Sequence, residues 1–276
     1  MIRPGWRRLK TARRSSIFLI ALSAAAVLFS GVVLLGGPAP SRPPSQSEAL
    51  AHNGLSGFTP PSRPSALFIG DVYTIGPEGG PTPDSGYACL TATKMGWYCS
   101  VVAQDGTGYV SGGPGHRLRK EYGVRDTDST SISERFPRLR ELYRADVVVL
   151  DAGRNDIRVD MADFRNAFER TLRQAMQAWP NSRIVVIAPF LIAQPAIHPP
   201  GLSGETIGDQ LEAVLRSSPD FDAVTLVDPA ALKWFDGVDT SKFTADDGVH
   251  PNVLGEQKIA ELLTAALTHA GLANVT

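Results

Sequence analysis

The sequence predicts an α/β protein, a three-layer α/β/α sandwich around a five-stranded parallel sheet. Two observations lead to this class. Five short apolar runs alternate with helical stretches, and this alternation favours right-handed crossovers between parallel strands. The clearest run, Asp146–Leu150, is apolar after its first residue, as expected of a strand covered on both faces. A ligand site in such a sheet lies at the carboxyl ends of the strands.

The chain opens with a basic segment followed by an apolar one. Six basic residues and no acidic residue precede Ile17, and no charge interrupts the run Ile17–Leu35. About 20 apolar residues suffice to cross a bilayer. We therefore expect a transmembrane anchor at 17–36, with the basic segment 1–16 in the cytoplasm and the rest of the chain outside. A cleaved signal peptide is the alternative.

A stretch rich in Pro, Ser and Gly follows at 37–63. This composition cannot bury enough apolar surface to fold alone, so we interpret it as a tether. The folded domain is then expected at 64–276. This domain contains 19 basic and 27 acidic residues, which gives a net charge of −8. This acidic balance argues against nucleic acid as a partner.

The folded domain begins with the predicted strand Ala66–Ile69, which leads into Gly-Asp. A helix is expected at Tyr87–Met95 and a second strand at Trp97–Val102. Apolar residues recur at helical spacing over Ser133–Tyr143, and we place Pro137 in the first turn of that helix. Its arginines, among them Arg135, are expected to form a solvated face balanced by nearby carboxylates.

The second half of the domain continues the alternation. The third strand, Asp146–Leu150, is followed by a helix at Met161–Trp179 that Asp160 is expected to cap. The remaining predicted elements are a strand, a helix, a strand and a last helix, at Arg183–Ala188, Ser203–Arg216, Ala223–Val227 and Leu254–Ala270. The three tryptophans of the domain are interpreted as core residues.

Cys89 and Cys99 are the only cysteines in the chain. In an exported domain an even pair predicts a disulfide, here one that closes a short loop. Two buried thiols are the alternative. A metal site is not expected, because two cysteines ten residues apart without nearby histidines do not build one. No cofactor is expected either.

Four short segments place chemically useful residues at predicted strand ends or before the last helix. Val72 follows Gly-Asp after the first strand, Gly106 lies in a glycine turn after the second, and Asn155 follows the third. Asp247 and His250 precede the last helix. A glycine turn can present N–H groups, an amide can donate to a developing oxyanion, and a histidine oriented by a carboxylate can act as a base.

In this order the segments resemble the conserved blocks of the SGNH (GDSL-type) hydrolase superfamily, from Ser65 to about Gly271. The matching strings are Ile-Gly-Asp-x-Tyr-Thr, Gly-Thr-Gly-Tyr-Val, Gly-Arg-Asn-Asp and Asp-Gly-Val-His-Pro-Asn. The resemblance implies a flavodoxin-like sheet and a serine-hydrolase site.

By position, the resemblance makes Gly106 and Asn155 the oxyanion donors, with Gly108 as the alternative to Gly106. Asp247 and His250 would be the orienting carboxylate and the general base.

The departure from the family pattern falls on the nucleophile. A serine of the first block attacks the ester carbonyl in that superfamily, whereas Val72 holds this position here. A valine side chain has no lone pair and cannot form an acyl-enzyme. The hydroxyls of Tyr73 and Thr74 are close in sequence, but we do not expect either to replace it, because a turn aims each side chain in its own direction.

We therefore expect a monomeric, esterase-like protein of the cell envelope whose catalysis is impaired. Its ligand would be a small-molecule ester, an acylated glycan or a lipid. Three alternatives stay open: hydrolysis by water that His250 activates, a non-catalytic ligand-binding or structural envelope protein, and an active esterase in which Val72 is an introduced change.

Overall fold

The computed structural model describes residues 63–77, 85–118, 129–201 and 204–275. All described residues belong to one compact unit, Thr59–Thr276. The predicted segments 1–16 and 17–36, and nearly all of 37–63, lie outside the described residues. Within the described ranges, no helix combines the length and apolar character needed to cross a membrane.

The described residues form five strands and six helices that alternate along the chain. In order they are β1 Ser65–Gly70, α1 Val72–Ile75, α2 Tyr87–Met95, β2 Tyr98–Ala103, α3 Ile132–Leu142, β3 Val147–Asp151, α4 Met161–Ala178, β4 Arg183–Ile187, α5 Ile207–Arg216, β5 Thr225–Val227 and α6 Val253–His269. Short 3₁₀ turns lie at Arg154–Asp156, Pro219–Phe221, Thr240–Lys242 and Leu272–Asn274.

The five strands form one parallel sheet in the order β2-β1-β3-β4-β5, which confirms the predicted fold class. Gly70 at the end of β1 pairs with Ala103 on one side and Asp151 on the other. The chain leaves β1 toward β2 and later returns to β3 on the opposite side. The loops after β1 and β3 therefore diverge at this point, and a crevice opens at their carboxyl ends.

Helices cover both faces of the sheet. Alternate residues of β3 point to opposite faces, so Val148 packs in a core with α3, α4 and α5, whereas Val149 packs in a core with α2 and α6. Trp97, Trp179 and Trp234 are all buried, as expected. The strands that carry the site are thus held in place by close packing on both faces of the sheet.

Most predicted boundaries lie within two residues of the observed ones, and the differences have local causes. Helix α3 begins at Ile132 because Ser131 and Glu134 form a capping box, so Pro137 lies in its second turn and not in its first. Helix α5 begins at Ile207, later than expected, because Thr206 caps it together with Asp209. Helix α1 was not predicted.

The cysteine prediction is confirmed. Cys89 of α2 and Cys99 of β2 form a disulfide, with 5.3 Å between their Cα atoms. The bond ties a surface helix to the edge strand of the sheet.

Asp160 also caps α4 as expected, since its carboxylate accepts from the backbone N–H of Ala162 at 2.8 Å.

Candidate active site

The turn after β1 is folded tightly over the end of the strand. Asp71 caps α1, and its Oδ1 accepts from the backbone N–H of Tyr73 at 3.0 Å. Gly70 is required for this fold-back, because a Cβ there would lie 1.9 Å from Thr74 Oγ1 and 2.6 Å from the carbonyl oxygen of Asp151. Val72 is thereby fixed as the first residue of α1.

The two hydroxyls beside Val72 are both engaged in the protein interior. Thr74 is buried and donates from Oγ1 to Asp151 Oδ2 at 3.0 Å. Tyr73 is also buried, and its hydroxyl donates to the carbonyl oxygen of Val249 at 2.5 Å. Neither hydroxyl is free to take the place of a serine at position 72.

A buried arginine joins the loops after β1 and β3. Arg154 contacts Asp71 through Nη1 at 3.1 Å and Asp151 through Nη2 at 2.6 Å, and its guanidinium lies 4.3 Å from the centre of the Tyr73 ring. Burial, opposed by Arg154 and reinforced by the charge of Asp151, raises the pKa of Asp71 to about 6. Sequence reasoning assigned Arg154 no role, although an arginine directly after a buried strand was visible in the third block.

Asn155 lies next to this ion pair, at the surface of the crevice. Its Nδ2 donates to the carbonyl oxygen of Thr107 at 2.9 Å and lies 3.4 Å from Asp71 Oδ2. The amide is therefore held between the second block and the first. One amide hydrogen is thus bound to Thr107 and the other makes only the long contact with Asp71, so the oxyanion role of Asn155 stays a prediction.

The two glycines of the second block have different environments. Gly108 packs against Asp156, whose carboxylate accepts from the N–H groups of Tyr109 at 2.7 Å and Ser111 at 2.8 Å. The N–H of Gly108 itself donates to the carbonyl oxygen of Ser111 at 2.9 Å. Gly106 instead lines a cavity, with a φ of +68° that favours glycine. This geometry favours Gly106 over Gly108 as the donor.

Arg135 corrects the expectation of a solvated arginine face on α3. Its guanidinium turns inward and donates to the carbonyl oxygen of Gly70 at 3.0 Å and to Thr107 Oγ1 at 2.5 Å. It thereby connects the end of β1 to the second block. Burial lowers the pKa of Arg135 to about 10, with Asp71 and Glu134 opposing this effect.

Asp247 and His250 form a hydrogen-bonded pair before α6. His250 Nδ1 lies 2.5 Å from Asp247 Oδ2, while Oδ1 accepts from the backbone N–H groups of Val249 and His250. These bonds, above all the one to His250, lower the pKa of Asp247 to about 2. Both side chains are about half exposed. No hydrogen bond to His250 Nε2 occurs among the described residues, so this nitrogen is available to a ligand.

The predicted site residues surround two adjoining cavities. Val72, Asp247 and His250 line the first, which has a volume of about 600 Å³. Gly106 and Asn155 line the second, of about 390 Å³. Asp105 lines both, and sequence reasoning did not single it out.

We call these two cavities together the composite cleft. The Asp247–His250 pair, Gly106 and Asn155 line this cleft, and position 72 contributes a hydrocarbon side chain to it. Among the described residues, no group of histidine, cysteine, aspartate and glutamate side chains could hold a metal ion.

Comparison with known proteins gives one family and several structural neighbours. A model of the GDSL-like Lipase/Acylhydrolase family matches residues 68–258. No curated protein sequence matches the chain significantly.

A family two carbohydrate esterase from Clostridium thermocellum, solved in complex with cellohexaose, is 18% identical at a TM-score of 0.52, over 78% of this chain and 67% of the other. A carbohydrate esterase family 2 enzyme with a carbohydrate binding domain, from Corynascus thermopiles (Myceliophthora fergusii), is 20% identical at 0.52, over 78% and 68%. A salicylyl-acyltransferase from a tetracycline biosynthetic pathway is 18% identical at 0.53, over 79% and 58%. At these identities the neighbours establish the fold.

Proposed function

Because the chain belongs to the GDSL-like lipase and acylhydrolase family, we propose that it binds esters in the composite cleft and turns them over slowly at most. One observation carries the proposal. Val72 lines the same cavity as the Asp247–His250 pair, where the resemblance places the attacking serine of the family. In this proposal the general base and the oxyanion donors surround a residue that cannot attack.

The impairment follows from the chemistry of position 72. Covalent ester hydrolysis needs an oxygen or sulfur nucleophile within reach of the base, and the valine side chain has neither. The hydroxyls of Tyr73 and Thr74 are committed to Val249 and Asp151. Binding does not require the missing atom, because the Gly106 N–H can donate to an ester carbonyl and the Asn155 amide can do so by exchanging its 3.4 Å contact with Asp71.

The ligand class is proposed from chemistry and from the neighbours. Two neighbours are carbohydrate esterases and one is an acyltransferase. We extend the first activity to this chain and propose an acylated glycan ahead of a simple small-molecule ester or a lipid. The carbohydrate part would supply the hydroxyl-bearing half of the ester.

Restoring the nucleophile tests this proposal. The full chain, purified in a mild detergent, should hydrolyse 4-nitrophenyl acetate barely faster than buffer. Val72→Ser should raise the rate by at least about 10²-fold, since it completes the set of groups that acts as a unit. Val72→Ala is the matched control and should gain nothing. An ordinary esterase rate in the unmodified protein, abolished by His250→Ala, would contradict the impairment.

A second function, slow hydrolysis without a covalent intermediate, is favoured by the short Asp247–His250 contact. The oriented imidazole could deprotonate a water molecule that attacks the ester directly. Oxyanion stabilisation and binding alone can leave about 10³–10⁴-fold catalysis over water. In that case the residual rate of the unmodified protein should disappear in His250→Ala and persist in Val72→Ala.

We also propose that the domain is displayed outside the cell by a single-pass anchor at 17–36. The charge-free run Ile17–Leu35, with its six upstream basic residues, supports this orientation. The Cys89–Cys99 disulfide is compatible with an oxidising compartment. Membrane fractions washed in alkaline carbonate should retain the protein, and external protease should reach the domain in intact cells. Recovery of a shortened protein from the medium would instead indicate signal cleavage.

A further inference from the structure

A third cavity continues the composite cleft away from His250. His116 lines both the second cavity and this third one, just as Asp105 lines the first and the second. The third cavity has a volume of about 370 Å³, within the usual range for a ligand pocket. The three cavities therefore follow one another along the surface of the domain.

The wall of the third cavity is mostly polar. Helix α4 contributes Asp163, Asn166 and Arg170, which share one face because they are spaced by three and four residues. The carboxylate of Asp163 accepts hydrogen bonds, the amide of Asn166 both donates and accepts, and the guanidinium of Arg170 donates. Among the described residues none of the three has a side-chain hydrogen bond, so all three are open to a ligand. Ser131 and Ser133 also line this cavity.

The charges around this cavity nearly balance. Glu134 is paired with Arg117 at 2.7 Å, and Asp163 faces the same space as Arg170. The cavity therefore does not select a strongly anionic group. A long acyl chain would remove water from these polar groups and would offer them no hydrogen bonds in exchange, which is unfavourable. A neutral chain bearing many hydroxyls matches donors and acceptors together.

We propose that the third cavity is a subsite for an oligosaccharide chain whose ester lies in the composite cleft. The inference rests on the proposed ester-binding function and makes it more specific, because a ligand that spans three cavities must extend over several sugar units. Asp105, at the first junction, has no hydrogen-bond partner among the described residues and can accept from sugar hydroxyls on the way.

The test measures how affinity depends on chain length. Calorimetric titration of the full chain would use partially O-acetylated hexamers of β-1,4-linked glucose and of β-1,4-linked xylose, each against its acetylated monosaccharide. We expect at least one hexamer to bind about tenfold more tightly than its monosaccharide. In the double variant Asn166→Ala/Arg170→Ala this ratio should fall toward one. Arg173→Ala on the same helix does not line the cavity and should keep the ratio of the unmodified protein.

Two results would overturn the subsite: ratios near one for both hexamers in the unmodified protein, or a ratio that survives in the double variant. Circular dichroism and melting temperature would show that the variants are folded. The hydrolysis assay with Val72→Ser reports separately on the proposed function. A gain on 4-nitrophenyl acetate without any chain-length effect would leave the ester site in place and reject the oligosaccharide subsite.

Discussion

Arg154 and Asp71 form a buried ion pair, with 3.1 Å between Nη1 and Oδ2, and Asp71 is the residue that caps the turn carrying Val72. The same guanidinium holds Asp151 and lies over the ring of Tyr73, whose hydroxyl reaches the carbonyl of Val249 beside His250. One side chain thus connects three of the four loops that line the composite cleft, those after β1, after β3 and before α6. The geometry of the site depends on this connection although Arg154 does not line either cavity.

Removing this arginine should destabilise the domain strongly. Arg154→Met would leave Asp71 and Asp151, both fully buried, without their cation, at a cost of about 3–5 kcal/mol in the free energy of unfolding. Urea unfolding of the full chain measures this cost.

The loss should be greater at pH 8 than at pH 5, because the pKa of Asp71, already raised to about 6, rises further without its cation, so this carboxyl ionises only at a cost as the pH rises. Arg173→Met removes an exposed arginine that also pairs with two carboxylates, and it should leave the unfolding midpoint unchanged. Equal effects of the two variants would show that the buried pair has no special importance.

Gly108 of the second block should be required for packing, because an added side chain would displace a carboxylate. In Gly108→Ala the added Cβ would lie 2.3 Å from Asp156 Oδ2, so the carboxylate must move and lose its bonds to the backbone. We expect a loss of about 3 kcal/mol in the free energy of unfolding. Gly115→Ala is the control: its φ is +77° but an added Cβ meets nothing within 4 Å, so only backbone strain of about 1 kcal/mol remains.

The disulfide should contribute to stability chiefly by restricting the unfolded chain. It joins residues separated by 10 positions, for which the loop-entropy model gives about 3 kcal/mol. A phosphine reductant should therefore lower the melting temperature of the unmodified protein. Cys89→Ala/Cys99→Ala should melt near the reduced protein and be insensitive to the reductant. A reductant effect that persists in this double variant would exclude the disulfide as its cause.

The sequence was sufficient to predict the sheet and the order of the four blocks. It was not sufficient to place two arginines, for physical reasons. Continuous apolar runs such as Val147–Leu150 mark buried strands by composition alone, so the strands could be predicted. Arg135 and Arg154 could not be placed by the same reasoning. An arginine is predicted to lie at the surface unless its partners are known. The partners of Arg135, Gly70 and Thr107, and the partner of Arg154, Asp71, come from distant parts of the chain.

The third cavity shows the same limit at the level of function. Asp163, Asn166 and Arg170 look like the solvated side of an amphipathic helix, which they are. A cavity exists there because the loop that contains His116 and the start of α3 also line it. Local spacing predicts which residues share a helix face, but the residues that complete the cavity are brought there by the tertiary structure.

Glu256 should make stability fall as the pH rises. It is 1% exposed in α6, its Oε2 accepts from the N–H of Tyr87 at 2.6 Å, and Oε1 has no partner among the described residues. Burial, aided by the charge of Asp151, raises the pKa of Glu256 to about 8. Between the ordinary glutamate pKa and this value the folded state binds more protons than the unfolded state, so the free energy of unfolding decreases with pH.

Glu256→Gln removes this titration while keeping an acceptor for Tyr87. The variant should match the unmodified protein near pH 4.5, where the buried carboxyl is protonated, and exceed it by about 2–4 kcal/mol at pH 8. Asp71 titrates in both proteins and cancels from the difference. Urea unfolding at several pH values gives the comparison. If the difference between the two proteins stays constant with pH, the carboxyl of Glu256 is ionised throughout and must have a partner that compensates its burial.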